Sequence, residues 1–465
     1  MVEAVSVGKI IRCPVHDLIS VDSDFALRII NSRPMQRLRR IKQLGLASFV
    51  YPGADHSRFS HSLGAYHLAT IVMNKLNARY KHAGQELPFD EIEYEAVSLG
   101  ALMHDLGHGP FSHMFESVAK YALTDKKIKH EHWTKEILLH DSQIQAALVK
   151  AEKHYKFDIS KLILDIFDAT IPPNKYYLRH LLSSQLDVDR FDYLLRDSLM
   201  TGAKYGEHLD FAWILRNLDI GSVKTNSPDD DDDPAPQEVN VLYIDGTRGL
   251  SSVESYLLGC FFMYKHVYYH KVINAAESMM QTLLRRVVDI IREGKMDPPH
   301  TVFEAFGRGE KPTVQQYLSL TDYNIWAWLE DWQSHPDEIV QDLSKQLLAR
   351  KIFGGFIQPD NSTENKTKFS KISAILKQEK LDPSYYLIED SPTRLAYTNS
   401  ITSRQNGKAP EPIWIKHKQK GIIELDGVDS FVIQAEEALK MNEKRWYVPK
   451  NLEFRIKNET GLTQL

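Results

Sequence analysis

The stretch ALMHDLGHGPFSHMFE, residues 101–116, is the most informative in this chain. It sets His104, Asp105, His108, His113 and Glu116 within thirteen positions, with Gly107, Gly109 and Pro110 punctuating a helix end. Adjacent side chains on an α-helix point about 100° apart. His104 and Asp105 can therefore serve one ion only if it sits across the gap between them, with other helices supplying the remaining ligands. Two other stretches offer them: HSRFSHSLGAYHLA, residues 56–69, with His61, and SSQLDVDRFDYLLRD, residues 183–197, with Asp189. Two imidazoles and two carboxylates form a mixed nitrogen–oxygen set that suits Mn, Fe, Zn, Ni, Co or Mg. A His–Asp pair alone recurs by chance in many proteins. Three features set this one apart: the two histidines that follow it, Arg58 three residues before His61, and the aspartate-rich segment about 80 residues downstream.

Outward from this stretch the pattern is helical. Residues 25–44 predict two short helices broken near Pro34. Ala65, Leu68, Val72 and Leu76 mark a helix over about 57–80, and Ile92, Ala96, Leu99 and Met103 mark the next. Further helices are expected at about 111–122, 130–140, 143–154 and 159–167. Long ones are expected at about 178–200 and 250–292. A strand is expected at about 239–245. Five consecutive aspartates, Asp229–Asp233, lie in a loop at about 226–238, read as a solvated charge run. Beyond residue 300 the composition shifts. An amphipathic piece at 314–332, a helix at 336–350 and strand-like runs near 421–434 predict a smaller mixed α+β lobe over 301–465, appended to a helical catalytic domain over 1–300. The fold class is thus mainly α.

Hydrophobic residues are 43% and charged residues 26% of the 465, enough for a sizeable core. A net charge of −5 argues against a nucleic-acid coat, which needs a basic face. Two cysteines, Cys13 and Cys260, make no disulfide framework and fit a reducing compartment, so a cytoplasmic location is expected. No apolar run approaches the roughly 20 residues of a membrane helix.

The motifs of residues 56–69, 101–116 and 183–197, with KHEHWT at 129–134 and YKHVYYHKVIN at 264–274, resemble in order and spacing the HD-domain deoxynucleoside triphosphate triphosphohydrolases. The likeness falls in the branch that holds the sterile-alpha-motif/HD enzymes and their shorter bacterial relatives. The resemblance implies a divalent metal held by His61, His104, Asp105 and Asp189. It implies phosphate contacts from Arg58 and His108, proton donation by His113 at the leaving 5′ oxygen, and a supporting pair of His130 and Glu116. Gln43, Leu44, Arg190, Tyr193, Asp197 and Tyr268 match positions that hold the substrate, the aromatic ring standing where a 2′-hydroxyl would be. Asn31, Gln36, Arg39, Arg248, His270 and Lys271 match parts of nucleotide-activator pockets between subunits, and a dimer or tetramer is implied.

Four positions depart from the pattern. Glu116 replaces an aspartate, Arg190 a lysine, Cys260 a phosphate-binding arginine and Asn31 a guanine-reading aspartate. Cys260 leaves a second reading open, an HD hydrolase of a ribonucleotide or an alarmone. A third reading is a nucleotide-sensing regulator with a vestigial metal site.

Overall fold

The computed structural model describes residues 8–124, 128–207, 209–225, 237–395, 397, 411–435 and 438–465. The aspartate run Asp229–Asp233 lies outside them. A hairpin of β1 (Lys9–Cys13) and β2 (Asp17–Val21) opens the chain. Then come α1 (Asp24–Ile30) and α2 (Arg33–Arg37), with Pro34 in the first turn of α2, where its missing N–H costs nothing. The Ser32 side chain caps α2, so the break falls where the sequence placed it.

The central scaffold is α3 (Arg58–His82) packed along α4 (Glu91–Met103). Asp90 and Glu93 close a reciprocal capping box that fixes the start of α4. Next are α5 (His113–Leu123), α6 (His130–His140), α7 (Ser142–Tyr155) and α8 (Ile159–Asp168). The amphipathic period alone marked these four.

The long helix expected over 178–200 is two helices, α9 (Tyr177–Leu182) and α10 (Val188–Thr201). Side chains in the Ser183–Asp187 linker take over the backbone. Asp187 accepts from the Ser184 and Arg190 amides at 2.8 Å each, and Ser184 Oγ donates to the His180 carbonyl at 2.9 Å. Such local bonds compete with helical ones. The break leaves Asp189 in the first turn of α10, and α10 packs on α3.

After α11 (Phe211–Asn217), strand β3 (Leu218–Thr225) pairs antiparallel with β4 (Gln237–Asp245). The expected 250–292 helix is also divided, into α12 (Gly246–Met263), a π-turn at Tyr264–Tyr268 and α13 (Lys271–Arg292). The His270 side chain caps α13 at the Val272 amide. The C-terminal stretch holds α14 (Thr301–Arg308), α15 (Val314–Ser319), α16 (Asp322–Trp332) and α17 (Glu338–Leu348), then short strands and helices. The 314–332 piece is thus interrupted at Leu320–Thr321, where the Thr321–Asn324 box starts α16. Gly421–Glu424 is a strand as expected, whereas Phe431–Gln434 is helical.

Elements before and after residue 300 interlock. The strand Trp414–His417 pairs in parallel with β4, Tyr243 opposite Trp414. One apolar cluster runs from Leu46 and Phe115 through Met279 to Trp446 and Ile456.

Candidate metal and phosphate site

Three helix ends meet at one point. His61 stands in the first turn of α3, His104 caps the C-terminus of α4 with Asp105 next to it, and Asp189 stands in the first turn of α10. His61 Nε2 lies 3.2 Å from His104 Nε2, 2.9 Å from Asp189 Oδ1 and 3.6 Å from Asp105 Oδ2. His104 Nε2 lies 3.3 Å from Asp105 Oδ1 and 3.4 Å from Asp189 Oδ1. Ligands about 2.1 Å from a common ion stand roughly 3.0–3.4 Å apart in octahedral or tetrahedral geometry. His61, His104 and Asp105 thus form a group that could hold a metal ion, and Asp189 Oδ1 stands within 3.4 Å of both imidazole nitrogens.

The other ring nitrogens are already committed. His61 Nδ1 donates to Asp192 Oδ2 at 2.8 Å, and His104 Nδ1 to the Ala101 carbonyl at 2.8 Å. Such outer partners fix the tautomer that leaves each Nε2 lone pair facing inward. Asp192 is fully buried and accepts twice from Arg196 at 2.8 Å and once from His16 Nε2 at 2.6 Å.

The electrostatics agree with the spacing. Burial works against a charge on His61, yet its bonds to Asp189 and Asp192 outweigh that and push it up to about 10. Burial likewise opposes the charges on Asp105 and Asp189, but His104 and its neighbours hold both carboxyls below the usual range. Without a metal the cluster retains a proton on His61, which a divalent cation would displace.

Beside this centre sits a second group. Arg58 donates Nη1 to Asp105 Oδ2 at 2.6 Å and Nε to Ser112 Oγ at 2.8 Å. His108 Nε2 faces Asp105 Oδ1 at 3.3 Å, while its buried Nδ1 has no hydrogen-bond partner. Burial and the Arg58 charge pull His108 well down, so it is neutral. His108 stacks on His130 at 3.9 Å between ring centres. Glu116 Oε1 accepts from both His130 Nδ1 at 2.7 Å and His113 Nδ1 at 3.1 Å. Burial raises the Glu116 carboxyl, but the two histidine bonds hold it far below its ordinary value. His113 is 72% exposed at the side chain, facing outward from this buried group.

Several residues expected on the substrate side form a chain from the same centre. The Tyr193 ring lies 6.5 Å from that of His61 and 6.0 Å, edge-on, from that of Tyr268. The Tyr268 hydroxyl donates to Asp197 Oδ2 at 2.9 Å, and His56 Nε2 meets Asp197 Oδ1 at 2.6 Å. Gln43 approaches Arg58 through its carbonyl at 3.5 Å, and its buried Oε1 has no partner. Leu44 is partly buried against the same apolar cluster as Tyr193 and Tyr268. Arg190 is flanked by Asp187, Tyr193 and Tyr256. Cys260 is 3% exposed in the interior of α12.

The residues expected in activator pockets lie elsewhere. Asn31 ends α1, exposed; Gln36 donates to the Ile30 carbonyl; exposed Arg39 lies 3.6 Å over the Phe59 ring. Arg248 and Lys271 are exposed at the starts of α12 and α13. His270 lines a groove of about 830 Å³ with Tyr51, Tyr205, Phe262 and His266.

The sequence reading missed Asp192, His16 and His56. Asp192 was within reach, since it follows Asp189 by three positions on the same helix. His16 is 176 residues from Asp192, and no local pattern marks it.

Residues 58–197 match the HD domain model. Over 449 residues the chain is 31% identical to the uncharacterized protein YwfO of Bacillus subtilis, covering 96% of this chain and 93% of that one. It is 28% identical over 417 residues to a deoxynucleoside triphosphate triphosphohydrolase, SAMHD1, of Xenopus laevis, covering 80% of this chain and 60% of that one. The crystal structure of a phosphohydrolase from Bacteroides thetaiotaomicron superposes with a TM-score of 0.69 at 28% identity, over 95% of this chain and 99% of that one.

Proposed function

This chain belongs to the HD-domain phosphohydrolase family, and from that premise we propose that it hydrolyses deoxynucleoside triphosphates to a deoxynucleoside and inorganic triphosphate. The observation that carries this reading is the convergence of His61, His104, Asp105 and Asp189 beside Arg58, His108 and the Glu116-held histidines. A divalent cation bound there, manganese for example, supplies Lewis-acid polarisation of a phosphoryl oxygen. Arg58 and neutral His108 bind the phosphate oxygens on the other side. Water attacks the α-phosphorus, and the bond from phosphorus to O5′ breaks. His113 Nε2 hands a proton to the departing O5′, while Glu116 accepts from Nδ1 and orients the ring. The Tyr193 and Tyr268 rings crowd the 2′ position against a ribose, and Asp197, tied by His56 and Tyr268, takes the 3′-hydroxyl.

Purified protein with Mn²⁺ and each of the four deoxynucleoside triphosphates tests this. Triphosphate release supports it. Release of phosphate or pyrophosphate alone rejects it.

Cys260 motivates a second reading. A buried thiol stands where the resemblance has a phosphate-binding arginine, which favours a ribonucleotide or an alarmone as substrate. A substrate screen in which ribonucleotides turn over faster decides for it. As a further part of the proposal, the exposed Arg39 face and the His270 groove serve nucleotide activators in a dimer or tetramer.

A further inference from the structure

The loop Gly107–Ser112 joins the metal corner at His104–Asp105 to the proton-donating His113, and it carries His108. Its backbone is strained: Phe111 and Ser112 have φ of 51° and 58°, a region that non-glycine residues adopt only when surroundings impose it. What imposes it comes from far along the chain. The Tyr317 hydroxyl donates to the Gly107 carbonyl at 2.7 Å. Arg37 is wholly buried and bridges two carbonyls, donating Nη1 to His108 at 2.8 Å and Nε to Leu320 at 2.9 Å. Asp322, also fully buried, accepts from the Phe111 amide at 2.9 Å and the Lys42 amide at 2.8 Å.

The Tyr317 ring stacks on Trp133 at 4.0 Å between centres and 7°, and the Arg37 guanidinium lies 5.3 Å from the Tyr317 ring. Tyr317 and Asp322, which hold the two ends of the loop at Gly107 and Phe111, lie outside the matched HD residues 58–197. The Gly107 carbonyl and the Phe111 and Lys42 amides find buried partners there, and the His108 carbonyl pairs with Arg37, which is itself tied to the Leu320 carbonyl. An unmade buried bond costs more than a made one contributes, so the loop has one well-defined position while the segment is in place.

The geometry points to Tyr317, Arg37 and Asp322 as positioning residues for His108 and His113: a clamp by which the chain beyond residue 300 sets the phosphate-handling geometry of the HD core. The hydrogen bonds of the three run to Gly107, His108, Phe111, Lys42 and Leu320, not to His61, His104, Asp105 or Asp189, so their effect separates from metal binding. This rests on the proposed phosphohydrolase activity, and the test keeps the two apart.

The experiment compares Tyr317→Phe, Asp322→Asn and Asp322→Ala with the parent protein. Three quantities are measured: Mn²⁺ affinity of the metal-free protein by calorimetry, affinity of the Mn²⁺-loaded protein for inorganic tripolyphosphate, and kcat on whichever nucleotide the parent hydrolyses. Tyr317→Phe retains the ring stack and removes only the bond to Gly107. It is expected to lower kcat about 5-fold or more and weaken tripolyphosphate binding at least 3-fold. Asp322→Ala goes further, Asp322→Asn falls between, and Mn²⁺ affinity stays within 2-fold throughout. If Asp322→Ala does not fold, Tyr317→Phe and Asp322→Asn decide. Unchanged kcat and tripolyphosphate affinity in those two overturn the clamp, as does a parallel loss of Mn²⁺ affinity, which marks general collapse. A parent protein that releases products other than triphosphate sinks the proposed reaction and leaves the clamp to be judged on the two binding measurements.

Discussion

Asp192 Oδ2 accepts the Nδ1 proton of His61 at 2.8 Å, and that one bond aims the opposite nitrogen of His61 at Asp189. The aspartate is itself held by three further bonds, two from Arg196 and one from His16 of the N-terminal hairpin. The corner of His61, His104, Asp105 and Asp189 is therefore oriented from behind by a buried carboxylate.

Replacing Asp192 with Asn keeps the shape but removes the charge. Outer partners of metal-bound histidines are worth about 10–100-fold in metal affinity. Asp192→Asn is expected to weaken Mn²⁺ binding by that range in a calorimetric titration, with Asp189→Ala weakening it further.

Gly64 lies against Asp192 so closely that a Cβ there would overlap Asp192 Oδ1. Gly64→Ala is expected to cost about 1–3 kcal/mol by overpacking and to lower metal affinity together with stability. Gly84→Ala is a poor control because its φ is +67°, whereas nothing crowds it.

The pH dependence has a definite sign. His61 moves from its ordinary 6.5 to about 10 in the folded, metal-free chain. A raised folded value means stability that is fully present below about pH 6.5 and lost as pH rises toward 10. Thermal melts in chelator are expected to show that loss between pH 7 and 9.5. With Mn²⁺ present the ion substitutes for the proton, and the melting temperature should hold or rise over the same interval.

Glu116 holds both His113 and His130. Glu116→Gln removes one carboxylate that accepts from both rings and loosens their orientation. General acid–base groups contribute roughly 10²–10⁴-fold, and a kcat loss approaching the lower bound is expected, with metal content unchanged.

Much of the helical scaffold was legible because amphipathic periods are local: α6 begins and ends where the pattern puts it, and the four donors read from three stretches converge in space. What escaped depends on side chains bonding to backbone. The break before α10 is written in Ser184 and Asp187, whose bonds leave no trace in hydrophobic period. The division of α12 from α13 falls at Tyr269–His270, with neither glycine nor proline to mark it. Strand β3, interrupted by Gly221, shows little alternation and is defined by its pairing with β4. The anchors from Tyr317 and Asp322 arrive across about 210 residues, a distance over which one sequence carries no signal.

The most direct measurement is ³¹P NMR of the products formed from dGTP and Mn²⁺ in ¹⁸O-labelled water. The expected result is inorganic triphosphate carrying the label on a terminal phosphorus, with unlabelled deoxyguanosine. Label in the nucleoside would contradict attack at phosphorus, and pyrophosphate or phosphate as the sole inorganic product would contradict departure of O5′ from the α-phosphorus at this centre.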